Sequence, residues 1–146
     1  MTLNKALKRV ETEWTEENIK RAITLIVETL KEKDKELTKF TGILNHDVKL
    51  VFCGPTTFAQ CLPWLKTISF GTHRIHRNGL VGTFGYEREI PYIEKRCTLK
   101  SQVLIWLVLH EWCHFYNYKD RIKHRKSFYE LVDQKYLKFF RSFFWR

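Results

Sequence analysis

Apolar positions along the chain fall into blocks of different period. Between Thr15 and Leu37, the residues Ile19, Ala22, Ile23, Ile26, Val27, Leu30 and Leu37 recur at helical spacing, and the positions between them carry charges of alternating sign. The spacing predicts one long amphipathic helix, with Thr15 as its N-cap and Glu16 and Glu17 at the positive end of the helix dipole. The middle of the chain reads as strands. Val48 to Cys53 is one candidate, stopped by Gly54-Pro55, and Lys66 to Thr72 is a second. After a stretch interrupted by Gly79, Gly82 and Gly85, the segment Arg88 to Glu94 alternates like an edge strand, where Pro91 is tolerated. The three glycines form no dinucleotide fingerprint, since no strand-turn-helix frames them.

A third block, Val103 to Leu109, is apolar on every side and predicts a helix buried inside the domain, with Thr98 as its cap. The last block, from about Lys126 to Trp145, puts Phe128, Leu131, Val132, Tyr136, Phe139, Phe140 and Phe143 on one broad helical face. The expected fold class is α+β. A small, mainly antiparallel sheet packs against an N-terminal helix, the buried helix and a C-terminal helix.

The buried helix carries the chemistry. Leu99, Val103, Leu107, His110 and His114 share its spacing, and His110-Glu111-Trp112-Cys113-His114 is an HExxH motif. Residues four apart on a helix differ by about 40° in azimuth and about 6 Å along the axis, so both imidazoles can reach one ion. Two histidines on an inward face need polar partners, and a zinc ion satisfies both. Glu111 then stands beside the water on that zinc, placed to take its proton as it attacks a carbonyl. A catalytic zinc usually has three protein ligands and one open position. Downstream, His124 and Glu130 are the two candidates for the third. The metzincin arrangement is absent, because Phe115, Tyr116 and Asn117 follow the second histidine.

HEWCH, nine intervening residues and then His124-Arg-Lys-Ser-Phe128 resemble the zinc metallopeptidases of the SprT-like group and its WLM-type relatives, over Thr98 to Val132. The resemblance implies a zincin-like fold, zinc on His110, His114 and His124, and Glu111 as general base in peptide-bond hydrolysis. The chain departs from the pattern in two ways. Glycines often found between the second and third ligands are missing, and no cysteine-rich zinc ribbon is present.

Other polar residues read as ordinary. His73 and His76 fit a polar loop, since two histidines three apart have no common face outside a helix, and His46 beside Asp47 reads as solvated. Tyr116, Tyr118 and Tyr129 are candidate hydrogen-bond donors to a transition state, with core packing as the competing reading. Cys53, Cys61, Cys97 and Cys113 lack CxxC spacing and read as free thiols, with Cys113 packed away from the metal.

Length and charge bound the rest. The 146 residues, 44% of them hydrophobic, suffice for a single domain, 1–146. Met1 to Val10 lacks the apolar core of a secretory signal and no apolar run approaches a membrane span, so a soluble cytoplasmic protein is expected. The formal charge of +10 is concentrated at the end: residues 119–146 hold nine Lys/Arg against three Asp/Glu. A basic outer face formed by Lys126, Lys135, Lys138 and Arg141 offers a surface to nucleic acid or another polyanion. The function expected is a zinc-dependent peptidase acting on protein or peptide. The competing reading is a nucleic-acid-binding or adaptor module that keeps a structural zinc. Glu111 separates them, because a purely structural site does not require it.

Overall fold

The computed structural model describes residues 1–78 and 88–144, and among these seven α-helices and a three-stranded sheet make an α+β fold. The sheet is small and mixed. Strands β1 (Lys49–Phe52), β2 (Ala59–Leu62) and β3 (Thr67–Phe70) stand in the order β1-β3-β2, with β1 parallel and β2 antiparallel to the central β3. The sequence pattern misses β2, because Ala59-Gln60-Cys61-Leu62 contains no β-branched or aromatic residue. Glycine is required at Gly71, just after β3. A Cβ there would run into the Thr57 carbonyl, against which the loop before β2 is laid.

At the N-terminus α1 (Leu3–Thr12) precedes α2 (Glu16–Lys33), which Thr15 caps by accepting the Asn18 N–H at 3.2 Å. The expected single long helix stops early. Asp34 leaves helical geometry at φ −82° and ψ 84°, and Leu37 belongs to a separate helix, α3 (Glu36–Thr41). The break has a physical cause. The Asp34 side chain is fully buried, and it accepts hydrogen bonds from Trp112 Nε1 at 2.6 Å, Tyr116 Oη at 2.7 Å and Lys135 Nζ at 3.0 Å.

Two expectations for the middle of the chain fail. Residues 72–78 form a helix, α4 (Thr72–Asn78), rather than a loop. Arg88 to Glu94 does not form an edge strand: Ile90–Arg96 is helix α5, with Pro91 in its first turn, where a missing N–H costs nothing. Period-two alternation over seven residues also satisfies one inward-facing pair, and here Glu89 and Ile93 turn inward. The readings of Gly79, Gly82 and Gly85 lie outside the described residues, as does the end of the last helix at Trp145.

Helix α6 (Lys100–Cys113) is the centre of the molecule, packed by α1, α2, α5, β2 and α7 (Lys126–Lys138). Every residue from Val103 to Cys113 is buried. Its N-terminal amides are satisfied differently from expectation. Leu99, not Thr98, occupies the cap position, and the Gln102 side chain reaches back to accept the N–H groups of Thr98 and Leu99 at 2.7 and 3.1 Å. Glu11 of α1 accepts the Ser101 N–H at 2.5 Å, placing a carboxylate at the positive helix end.

Helix α7 buries Phe128, Tyr129, Val132 and Tyr136 against α6 and continues into a wider π-helical turn, Phe139–Phe144. The expected basic outer face is broken at Lys135. That side chain is 5% exposed, held by Asp34 and by Glu36 at 2.8 Å, and Lys138 also bonds Glu36 at 3.0 Å. A buried Asp34 needs a cation more than the surface does, and Lys135 supplies it. Among the described residues, no helix is long and apolar enough to cross a membrane.

Candidate metal centre

The helical period places His110 and His114 on one side of α6, and the chain then turns back to bring His124 between them. The three rings form a nearly equilateral triangle, with centroids 4.9, 5.2 and 4.9 Å apart. One ring nitrogen from each lies within 4.8 Å of the other two. Phe128, one helical turn past His124, packs against all three rings and stacks on His114 with centroids 4.4 Å apart. Glu130, the alternative third ligand, is exposed and lies outside the cluster.

Asn117 fixes His114. Its amide nitrogen donates to the Lys123 carbonyl at 2.7 Å, which leaves its oxygen to accept from His114 Nδ1 at 3.1 Å. The proton therefore sits on Nδ1, and the lone pair of Nε2 is available to a cation. The same amide ties residue 117 to residue 123. Lys123 Nζ completes the turn by donating to the carbonyls of Asn117 and Tyr118 at 3.1 and 2.6 Å. No glycine is needed in this segment, because side chains close it.

Protonation favours a cation at two of the three rings. Burial, helped by neighbouring His110, pushes the His114 pKa down to about 4, and burial also lowers that of His124. His110 differs. Burial opposes its charged form, but Glu111 Oε2 lies 2.7 Å from His110 Nδ1 and raises its pKa. A neutral His114 and His124, with His110 oriented by a carboxylate, is the donor set that suits a divalent transition metal.

The cluster lies on the floor of a cleft of about 880 Å³. Helix α6 contributes Trp106, Leu107, His110, Glu111 and His114, and β2 forms part of the opposite wall. Glu111 is buried to 5% exposure beside the triangle. A second carboxylate faces it. Glu89, 3% exposed, accepts from Trp106 Nε1 at 2.6 Å and approaches His110 Nε2 at 3.8 Å. Burial raises its pKa, against the pull of His110.

Comparison of the chain with protein-family models, curated proteins and solved structures yields no match. Local geometry must therefore carry the functional argument.

The remaining candidates separate clearly. His73 faces Glu16 at 3.5 Å, His46 is exposed beside Asp47, and His76 meets Trp14 through its backbone carbonyl, so none joins the triangle. Tyr116 is committed to Asp34, and Tyr129 packs behind His110 and His124. Of the three tyrosines, Tyr118 alone lines the cleft. Cys113 is fully buried and its thiol pKa is pushed up by burial, which makes it a packing residue. Free thiols are found at all four cysteines. Sequence reasoning misses Glu89 and Asn117. Asn117 carries a usable signal, standing three residues after His114 on a continuing turn, whereas Glu89 becomes visible only once α5 is known to be helical.

Proposed function

We propose that the chain is a zinc-dependent peptidase, with His110, His114 and His124 holding the metal and Glu111 acting as general base. The observation that carries this reading is the convergence of His124, from a separate segment, with the two helix histidines beside a buried carboxylate on the floor of a large cleft. Three imidazoles leave one coordination position open, as catalytic zinc requires. Zinc held there would supply a Lewis acid for the peptide carbonyl and lower the pKa of the attacking water. Glu111 is placed to act as the base that would accept a proton from the attacking water and return it to the departing amine. Asn117 keeps the lone pair of His114 directed inward, and Phe128 fixes the spacing of the rings. The resemblance to the SprT-like and WLM-type metallopeptidases supports the same assignment.

The competing structural-zinc reading asks for a fourth protein ligand, and the group found among the described residues contains three. The polyanion proposal keeps Lys126 and Arg141 but loses Lys135 to the interior. The experiment is elemental analysis of the purified chain together with hydrolysis of an unfolded protein substrate. About one zinc per chain is expected, absent from His110→Ala and His114→Ala, with hydrolysis stopped by a chelator and restored by zinc. Equal metal content in wild type and variants would remove the proposal.

A further inference from the structure

The walls of the cleft differ from its floor in chemistry. Among the described residues, strand β2 is an edge of the sheet, with β3 as its ladder partner, and Ala59, Gln60 and Cys61 line the cleft. An edge offers main-chain N–H and C=O groups to an extended backbone laid beside it.

The rim is apolar. Nine large apolar side chains are exposed among the described residues, and two of them, Trp64 and Tyr118, line this opening. Trp64 is 75% exposed. Exposed aromatic side chains at the mouth of a concave opening mark a binding surface.

Charge is layered. The carboxylates of the cleft, Glu89 and Glu111, lie buried on the floor against His110, whereas its Lys and Arg residues, Lys66, Arg74 and Lys123, stand on the walls. The Arg74 guanidinium donates to the Thr56 carbonyl at 2.8 Å and Lys123 donates to two carbonyls. Among the described residues neither has a carboxylate partner. Lys66 alone meets one, Asp47 at 3.8 Å. Positive charge therefore lines the opening, where carboxylates of a ligand would meet it.

We propose that the cleft selects an extended polypeptide segment in which a large apolar side chain is flanked by aspartate or glutamate. The apolar group packs on Trp64 and Tyr118, the segment's backbone runs along the edge of β2, and the flanking carboxylates meet Arg74 and Lys123. This rests on the peptidase reading and names its substrate class. Aromatic and cationic rims also suit single-stranded nucleic acid. Here, the edge strand has nothing to pair with in a polynucleotide.

The test uses three short synthetic peptides with one common aromatic centre and flanks of Glu/Asp, Ser/Gly or Lys/Arg, and oligothymidylate as a fourth probe. Binding is measured on zinc-loaded Glu111→Gln protein, and cleavage on wild type. Acidic flanks should bind roughly tenfold more tightly than basic ones at low salt, since two or three rim contacts each contribute modestly. Added salt should narrow the gap. Arg74→Glu should bring the acidic-to-basic ratio to one or below, a comparison internal to that variant, and Trp64→Ala should weaken all three peptides. Equal affinities, no binding by any peptide, or tighter binding of oligothymidylate than of the acidic peptide would overturn the inference. Selective binding of the acidic peptide with no cleavage of any peptide by wild type would leave recognition standing and overturn the peptidase reading instead.

Discussion

Asn117 shows how much of the centre depends on a residue that touches no metal. Its side chain both directs His114 and closes the turn that delivers His124. Asn117→Ala is expected to lower zinc affinity by about 10- to 100-fold, the usual cost of losing such an orienting partner. Competition with a chromophoric chelator measures this, and unchanged affinity would show that the turn is held by other contacts. Glu36 gives a second prediction. Hydrogen bonds from Lys135 and Lys138 lower its pKa from 4.5 to about 2. A carboxylate with a depressed folded pKa stabilises the protein above its unfolded pKa, and that contribution fades as pH falls from about 4.5 through about 2. The stability difference between wild type and Glu36→Gln should therefore be constant near neutrality and shrink across that window in acid-unfolding curves. Because Glu36 is partly exposed, solvent screening keeps the effect modest.

Helix α6 owes its position to its neighbours as much as to its own apolar surface. Asp34 joins the α2–α3 junction to Trp112, Tyr116 and Lys135, and so locks the C-terminal end of α6 and the start of the turn that carries His124 to α7. Asp34→Ala should destabilise the fold by about 3–5 kcal/mol, because it takes from a buried cation one of its two carboxylates and from two further donors their acceptor. Chemical denaturation measures the loss, and a cost under about 1 kcal/mol would mean that Glu36 alone satisfies Lys135. This knot also marks where sequence reading stops. HExxH and the HxxxF segment are legible because helical period fixes which side chains share a face. Asp34 and Lys135 read as surface charges, since a one-dimensional pattern places charges outward and cannot see a partner about a hundred residues away. For the same reason the stripe through Leu37 looks continuous, although Asp34 breaks it. Strand β2 lacks strand-forming residues, and α5 hides behind an alternation that Pro91 makes look like an edge.

At the scale of the whole molecule, α1, α2, α5, α7 and β2 pack around α6, and the histidine triangle near its C-terminal end meets the cleft that β2 also lines. The arrangement suits a scaffold that holds ligands rigidly while admitting an extended chain from one side. The α+β class follows from the period of the apolar blocks, whereas the shape of the cleft depends on α4, α5 and β2, which local pattern does not reveal. Glu111 is where the peptidase account stands or falls. Replacing it with glutamine keeps size and hydrogen bonding but removes the ability to accept a proton. The decisive measurement is peptide hydrolysis by Glu111→Gln and wild type, each with its zinc content determined on the same sample. The account predicts equal zinc, an unchanged fold and a rate reduced by about 10²- to 10⁴-fold; hydrolysis at the wild-type rate by the zinc-loaded variant would contradict it.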